Sequence, residues 1–547
     1  MDITTEKILL GTTSGDGGPE DHWVTFTTSG VRFKERSAQH IALDVNDDGE
    51  VFVAGISMGN RYNTSTEPIS YQSLHHFKLN PDGTRAHYKI QAGGGVAENP
   101  YRNDGGESMS SVDIRANKTG GGYWTVTGCR PSRTSNGNGV LYNRFDSSGL
   151  GLGSTHMMRT ISNSNGTNIN TPLFAGGPST DKQAATVSDN DQLDTEQVAS
   201  IFSSTGSLTT QKNITQGEQD GGPSPCCWDE SGNLWILTPY DPPSGSSHTE
   251  GSVIMQVYGD GSGVNTSGYI IQKGSGSNGD KTNGHQCGIR VTNDHIYVLD
   301  YSGYTYQNLG FSSSSAQYQY YLGIYKISRA TGAFVWRRKI GYDWNWNTRP
   351  YSGDTQGPKF DIDDDGNCYV IVNPYKYTGS YPYQYNYFKP FICKINSSNG
   401  YADWFREIEF TTNAAGDTIA AIGDTRNGSN VLHDIKVKGE CMYIAMSQYR
   451  NTFQSNGGRG YAQIGVMKAP LDGSLTKTFN FPSSNSWLQN GIFRYASNNI
   501  GFDTSNNWDV LSSFSPSHQS FNQYNRGHSI YATNQSGLGT YTNDLDA

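Results

Sequence analysis

One pattern recurs along this chain: a short apolar run, a tight turn ending in Gly, a second apolar run, a long polar connection, and then another hairpin. Its clearest copy reads KFDIDDDGNCYVIVNPY from Lys359, then a tyrosine-rich insertion, then FKPFICKINSSNGYADWFREI ending at Ile408. The runs FDI, CYVIV, FICKI and WFREI are β-branched or aromatic, and DDDG and SSNG are turn sequences, so the unit is a four-stranded antiparallel sheet. Such a sheet has two faces and cannot bury both alone. Recurrence therefore means sheet packed on sheet.

The pattern returns as IALDVNDDGEVFVAG with HHFKLNPDGTRAHYKI from Ile41, and in copies starting at Ser111, Cys226, Cys287 and Leu432. A weak copy lies near Gln183, and a last one begins at Ile500. Successive copies stand about 70 residues apart, long loops inflating a unit of about 45 residues typical of propeller blades. The expected fold is all-β: a single propeller of eight four-stranded antiparallel blades, or seven, with long loops on one face. Its blades start near 41, 111, 183, 225, 286, 359, 431 and 500. Residues 1–40 form an N-terminal segment in which WVTFTTSGVRFKE, from Trp23, reads as a hairpin that competes to close the ring.

Composition agrees. Among 547 residues, 66 Gly, 34 Tyr and only 16% charged residues suit short strands, tight turns and polar loops. A net charge of −10, with no basic stripe, argues against a nucleic-acid partner. No basic amphipathic segment points to a membrane surface, and no stretch approaches the ~18 apolar residues of a membrane span. The opening MDITTEKILLG has no signal-peptide pattern, so synthesis in the cytoplasm is expected. Seven cysteines, most of them in predicted strands, read as reduced thiols rather than a disulfide framework.

Strands alternate in direction, so the turns within hairpins share one rim and the long connections share the other. The long rim collects aromatic residues: Tyr304, Tyr306, Tyr342, Trp344, Trp346, Tyr351, Tyr375, Tyr377, Tyr381 and Tyr383. Tyr and Trp give stiff contact area with a polar handle, which makes this rim the expected binding face. Asp361, Asp363 and Asp365 alternate as calcium ligands do, but the twelfth position that an EF-hand fills with Glu is Val372. The competing reading is an Asp-Gly hairpin turn that needs no metal. Calcium is the one cofactor the residues suggest, and no other is expected. No G-x-S-x-G, phosphate loop or paired-carboxylate signature appears, so a chain without catalytic residues, not an enzyme, is expected.

The segments IALDVNDDGEVFVAG and FDIDDDGNCYVIV resemble the D-x-x-G-N-x-Y-V-x-G repeats of bacterial and viral β-propellers. Polar, outward-looking loops together with unpaired cysteines and no signal make the chain similar to structural proteins of tailed bacteriophage virions. That resemblance implies a tail, baseplate or fibre-associated component, made in the host cytoplasm and carried in the virion. Its partners would be other virion proteins or a host surface glycan, with no nucleic acid and no membrane. The alternative is a carbohydrate-binding or carbohydrate-cleaving propeller, and cleavage would require carboxylates that converge in the central channel.

Overall fold

The computed structural model describes residues 5–9, 23–27, 41–57, 73–92, 109–118, 120–129, 137–152, 156–162, 169–176, 182–189, 197–203, 207–214, 224–240, 251–272, 285–303, 320–344, 348–350, 358–378, 384–387, 391–410, 430–451, 460–473 and 493–495. Every regular element among them is a β-strand. Seven antiparallel sheets of four or five strands succeed one another, accompanied by one small three-stranded sheet. Their first strands are Ile41–Val45, Met109–Ala116, Ile169–Gly176, Cys226–Trp228, His285–Val291, Lys359–Ile362 and Asn430–Lys438, which open blades 1 to 7 in that order. Each of these strands packs beside the next, and the seventh packs beside the first, so they line the axis of a closed β-propeller.

The local chemistry of the turns explains the strand pairing. In blade 6 the Asp363 carboxylate accepts the Asn367 backbone N–H at 2.7 Å, and Gly366 takes φ 78°. Blade 4 repeats this with Asp229, Asn233 and Gly232. The first turn side chain satisfies the backbone, and glycine supplies the left-handed residue that closes the hairpin.

Apolar clusters fill the clefts between neighbouring blades. Phe52, Ala54, Ile114 and Tyr123 join blades 1 and 2, while Cys287, Leu299, Val370 and Cys393 join blades 5 and 6. Between blades 2 and 3, Tyr142 stacks on Phe202 with ring centroids 4.5 Å apart. Among the described cysteines, Cys226, Cys227, Cys287, Cys368, Cys393 and Cys441 are all free thiols.

A tryptophan device recurs around the ring. Trp336 on the outer strand of blade 5 donates its indole N–H to Ser397 O at 2.8 Å, and Trp404 of blade 6 donates to Leu471 O at 3.0 Å. Each ring covers a turn glycine of the next blade, Gly400 and Gly473 respectively. Trp23 does the same for blade 1, donating to Pro81 O at 2.9 Å and covering Gly83.

Trp23 belongs to Trp23–Thr27, which pairs with Gly460–Pro470 of blade 7, and Thr5–Leu9 pairs outside it. Blade 7 is thus completed by the N-terminal strands. Blade 3 begins at Ile169, upstream of Gln183; its first two strands, INTPLFAG and KQAATVSD, lack the Asp-Gly turn that marks the other copies. The copy read from Ile500 lies outside the described residues.

Candidate functional site

The inner strands carry the charges of the molecule's centre. Asp44, Arg115, Cys227, Arg290 and Asp361 each stand two residues before the residue that opens their blade's first turn. Side chains alternate along a strand, so this shared offset sets all five on the axial face, and Lys436 of blade 7 joins them through its interactions with Asp44, Arg115 and Arg290.

The aspartates also latch the ring. Asp44 accepts the Ala116 N–H of blade 2 at 2.9 Å, Asp361 accepts the Val437 N–H of blade 7 at 2.8 Å, and Asp434 accepts the Leu43 N–H of blade 1 at 3.1 Å. Asp361 takes Arg290 Nε at 2.6 Å with its other oxygen. Arg115 reaches Asp113 at 3.3 Å. Backbone donors that no ladder would satisfy thereby find a partner on the neighbouring strand.

Opposite environments act on two of these carboxylates. Burial raises the pKa of Asp44 above the usual carboxylate range, and the charges of Arg115 and Lys436 only partly offset it. Burial also works against ionised Asp361, yet Arg290, Lys436 and the Val437 N–H together hold its pKa below that range. The Cys227 thiol is pushed up to about 12, chiefly by burial, and stays protonated at neutral pH. Lys436 is lowered by burial and by repulsion from Arg115.

Beside them on the axis is a cavity of about 60 Å³, lined by Lys436 but not by Asp44, Asp361 or Cys227. Its charged lining is Asp113, Arg115, Arg290, Lys359, Asp434 and Lys436. Bulges interrupt the first strands of blades 2, 5 and 7 beside it, at Met109/Val112, Gln286/Gly288 and Leu432/Asp434. Such irregularities re-aim side chains where a regular strand would not.

The sequence-derived site residues fall elsewhere. Tyr342 and Trp344 lie in Phe334–Trp344 and Tyr375 and Tyr377 in Pro374–Thr378, whereas Tyr304, Tyr306, Trp346, Tyr351, Tyr381 and Tyr383 lie outside the described residues. The insertion after Asn373 is itself structured: Pro374–Thr378 pairs with Gln384–Tyr387 and Thr348–Pro350. Tyr375 is registered against Tyr387, and Tyr377 against Tyr385.

Asp361, Asp363 and Asp365 do not gather around one point. Asp361 is committed to Arg290 and Val437, Asp363 accepts bonds from Asn367 and from Tyr369 Oη at 3.0 Å, and Asp365 is exposed. Among the described residues, no group of three or more His, Cys, Asp or Glu is placed to hold a metal ion.

Sequence reading missed Asp44, Asp113 and Asp434 as neighbours. The signal was available in outline: Asp44 stands two positions before its blade's turn, and Asp113 and Asp434 stand four positions before theirs.

No protein-family model matches the chain, and no curated protein does. Solved structures of related shape include the alpha-L-arabinofuranosidase of Fusarium graminearum in complex with arabinobiose, at 8% identity and TM-score 0.35, covering 80% of this chain and 95% of that one. The Synechocystis apocarotenoid oxygenase is similar at 10% identity and TM-score 0.35, covering 87% and 97%. Nothing in these comparisons ties the chain to a virion. Both of those proteins are enzymes, against the expectation of a non-enzymatic chain. Aspartates more than 300 residues apart, such as Asp44 and Leu43's partner Asp434, meet only when the ring closes, so no local stretch of sequence shows them together.

Proposed function

We propose that the chain acts on carbohydrate at its central channel, with channel aspartates as the reacting groups. One observation carries this reading: Asp113 and Asp434, from two different blades, both line the axial cavity, with Asp44 and Asp361 of two further blades on the axial face beside them. Glycoside hydrolysis needs two carboxyl groups with separate duties, one holding a proton for the leaving oxygen and one ionised to attack or to activate water.

Asp113 and Asp434 line the cavity wall, where a ligand would meet them. The strands bearing them begin at the rim of long connections, where the small tyrosine-bearing sheet also rises.

The test is release of reducing ends from a panel of neutral and acidic polysaccharides. Asp113→Asn and Asp434→Asn are expected to lower the rate at least about 100-fold, and Asp363→Asn, in the turn, to leave it unchanged. No release from any polysaccharide, or full activity in both channel variants, would sink the proposal.

A further inference from the structure

A lysine recurs in the third strand of several blades, registered against an aromatic residue of the second strand. Lys78 lies over Phe52, Lys326 over Tyr297, Lys394 over Tyr369 and Lys468 over Tyr443. In two of these places a carboxylate takes the ammonium: Glu50 at 2.9 Å from Lys78, and Asp403 at 3.7 Å from Lys394. Lys326 breaks the pattern.

Lys326 is 8% exposed, and among the described residues no carboxylate pairs with it. It reaches across the joint to blade 6 instead, donating to Ser397 O at 3.0 Å and standing 2.9 Å from Ser397 Oγ. Burial lowers its pKa below the ordinary 10.5. The Cys368 thiol, which works against that shift, is itself pushed far up by burial and stays uncharged, and His295 nearby is held below its ordinary 6.5. A buried lysine without a counter-charge gives up its proton more readily, which is how lysines become bases.

Ser397 is fixed on several sides. Its N–H donates to Asn367 Oδ1 at 2.9 Å, its carbonyl accepts Trp336 Nε1 at 2.8 Å as well as Lys326, and Tyr297 Oη stands 3.5 Å from its Oγ. The residue is half-buried, in the turn between the third and fourth strands of blade 6. Capping that turn needs only the Ser397 carbonyl. The hydroxyl beside the lysine is a nucleophile beside a base. Trp336 covers Gly400 of the same turn, which favours a small acyl group over a long chain.

We propose that Ser397 and Lys326 form a nucleophile–base pair that takes acyl groups from small esters such as acetyl esters. Deprotonated Lys326 accepts the Ser397 hydroxyl proton as Oγ bonds to the ester's carbonyl carbon. The C–O bond to the alcohol then breaks, and the proton passes from Lys326 to the departing oxygen. Water repeats the sequence, releasing the acid and restoring the hydroxyl. Tyr297, which burial keeps protonated, is the hydroxyl donor at hand for the charge that develops on the acyl oxygen. The pair lies at a joint between blades, apart from the axial cavity, and does not depend on the carbohydrate reading.

The full chain is treated with para-nitrophenyl acetate at alkaline pH, with acetylation located by peptide mass spectrometry and release of nitrophenolate followed by absorbance. Acetyl is expected on Ser397 and not on exposed Ser398 of the same turn, and Ser397→Ala should abolish that label while Ser398→Ala leaves it. Lys326→Arg keeps a cation that can donate to the same oxygens but cannot serve as base, and should lower acylation at least about 100-fold. The rate should rise with pH to a plateau whose midpoint lies below 10.5, a readout that a lysine merely capping the turn would not give. No acetyl on Ser397, equal acetylation of Ser398, or full acylation in a folded Lys326→Arg would each overturn the pair. Should Lys326→Arg fail to fold, the unaltered chain decides: a midpoint at 10.5 or above overturns it as well.

Discussion

Between blades 6 and 7, Trp404 lies over the turn glycine Gly473; between blades 1 and 2, the corresponding place over Gly149 is taken by His87. Both turns carry a left-handed glycine, φ 66° and φ 78°, and in both a Cβ would collide with the covering ring, at 2.8 and 2.7 Å. The indole donates one hydrogen bond whatever the pH. The imidazole instead joins a titratable group: the Tyr123 hydroxyl sits 3.1 Å from His87 Nε2 and 2.5 Å from His76 Nδ1, and His75 meets Tyr88 at 2.6 Å on the same blade. Two interfaces with one geometry therefore differ in what can undo them. A propeller closed by equivalent contacts need not be equally stable at every joint.

The largest expected effect is on the tryptophan joints. Trp404→Ala removes a nearly buried ring and its bond to Leu471 O, and should cost about 3–5 kcal/mol in urea unfolding. Trp23→Ala should cost as much, because Trp23–Thr27 serves blade 7 as the outer strand of blade 6 serves its own sheet. A loss below about 1 kcal/mol in either would mean the joint does not depend on its indole.

Acid should separate the two kinds of joint next. Burial lowers His75 to about 4 and His76 to about 3, both below the ordinary 6.5. The folded state then binds fewer protons than the unfolded one, so stability is unaffected above pH 6.5 and is lost as pH falls from there. For His75 alone the loss reaches about 3 kcal/mol near pH 4. Hydrogen exchange should show blades 1 and 2 opening first. Urea midpoints that stay level from pH 7 to pH 4.5 would break the comparison.

The smallest effect separates strain from collision. Gly439 has φ 57° and open space around it, so Gly439→Ala should cost about 1 kcal/mol from backbone conformation alone. Gly473→Ala adds the clash with Trp404 and should be at least about 1 kcal/mol worse. Equal costs, measured by thermal unfolding, would show that the indole swings aside freely.

Much of the blade was legible from the chain because its causes are local. IALDVNDDGEVFVAG carries its own strands, turn and register within 15 residues, and Ile41–Val45 pairs with Val51–Ser57 as that pattern requires. Blade 3 was nearly invisible for the converse reason: INTPLFAG and KQAATVSD have no turn motif and weak alternation, and their pairing is imposed by the blades on either side. The three-stranded sheet at Thr348–Pro350, Pro374–Thr378 and Gln384–Tyr387 was hidden in what read as tyrosine-rich loop, since aromatic loops and aromatic strands share a composition.

The site follows the same division. Local pattern is enough for an all-β chain of repeated four-stranded units, because period-two alternation and Asp/Asn-Gly turns act over a few residues. Only the tertiary structure decided that Asp44, Asp361, Asp434, Arg115, Arg290 and Lys436 share one axis, and that the N-terminal strand carrying Trp23 completes blade 7. Those contacts join residues up to 391 positions apart, as Asp434 is from Leu43. No local propensity encodes such a distance; ring closure does.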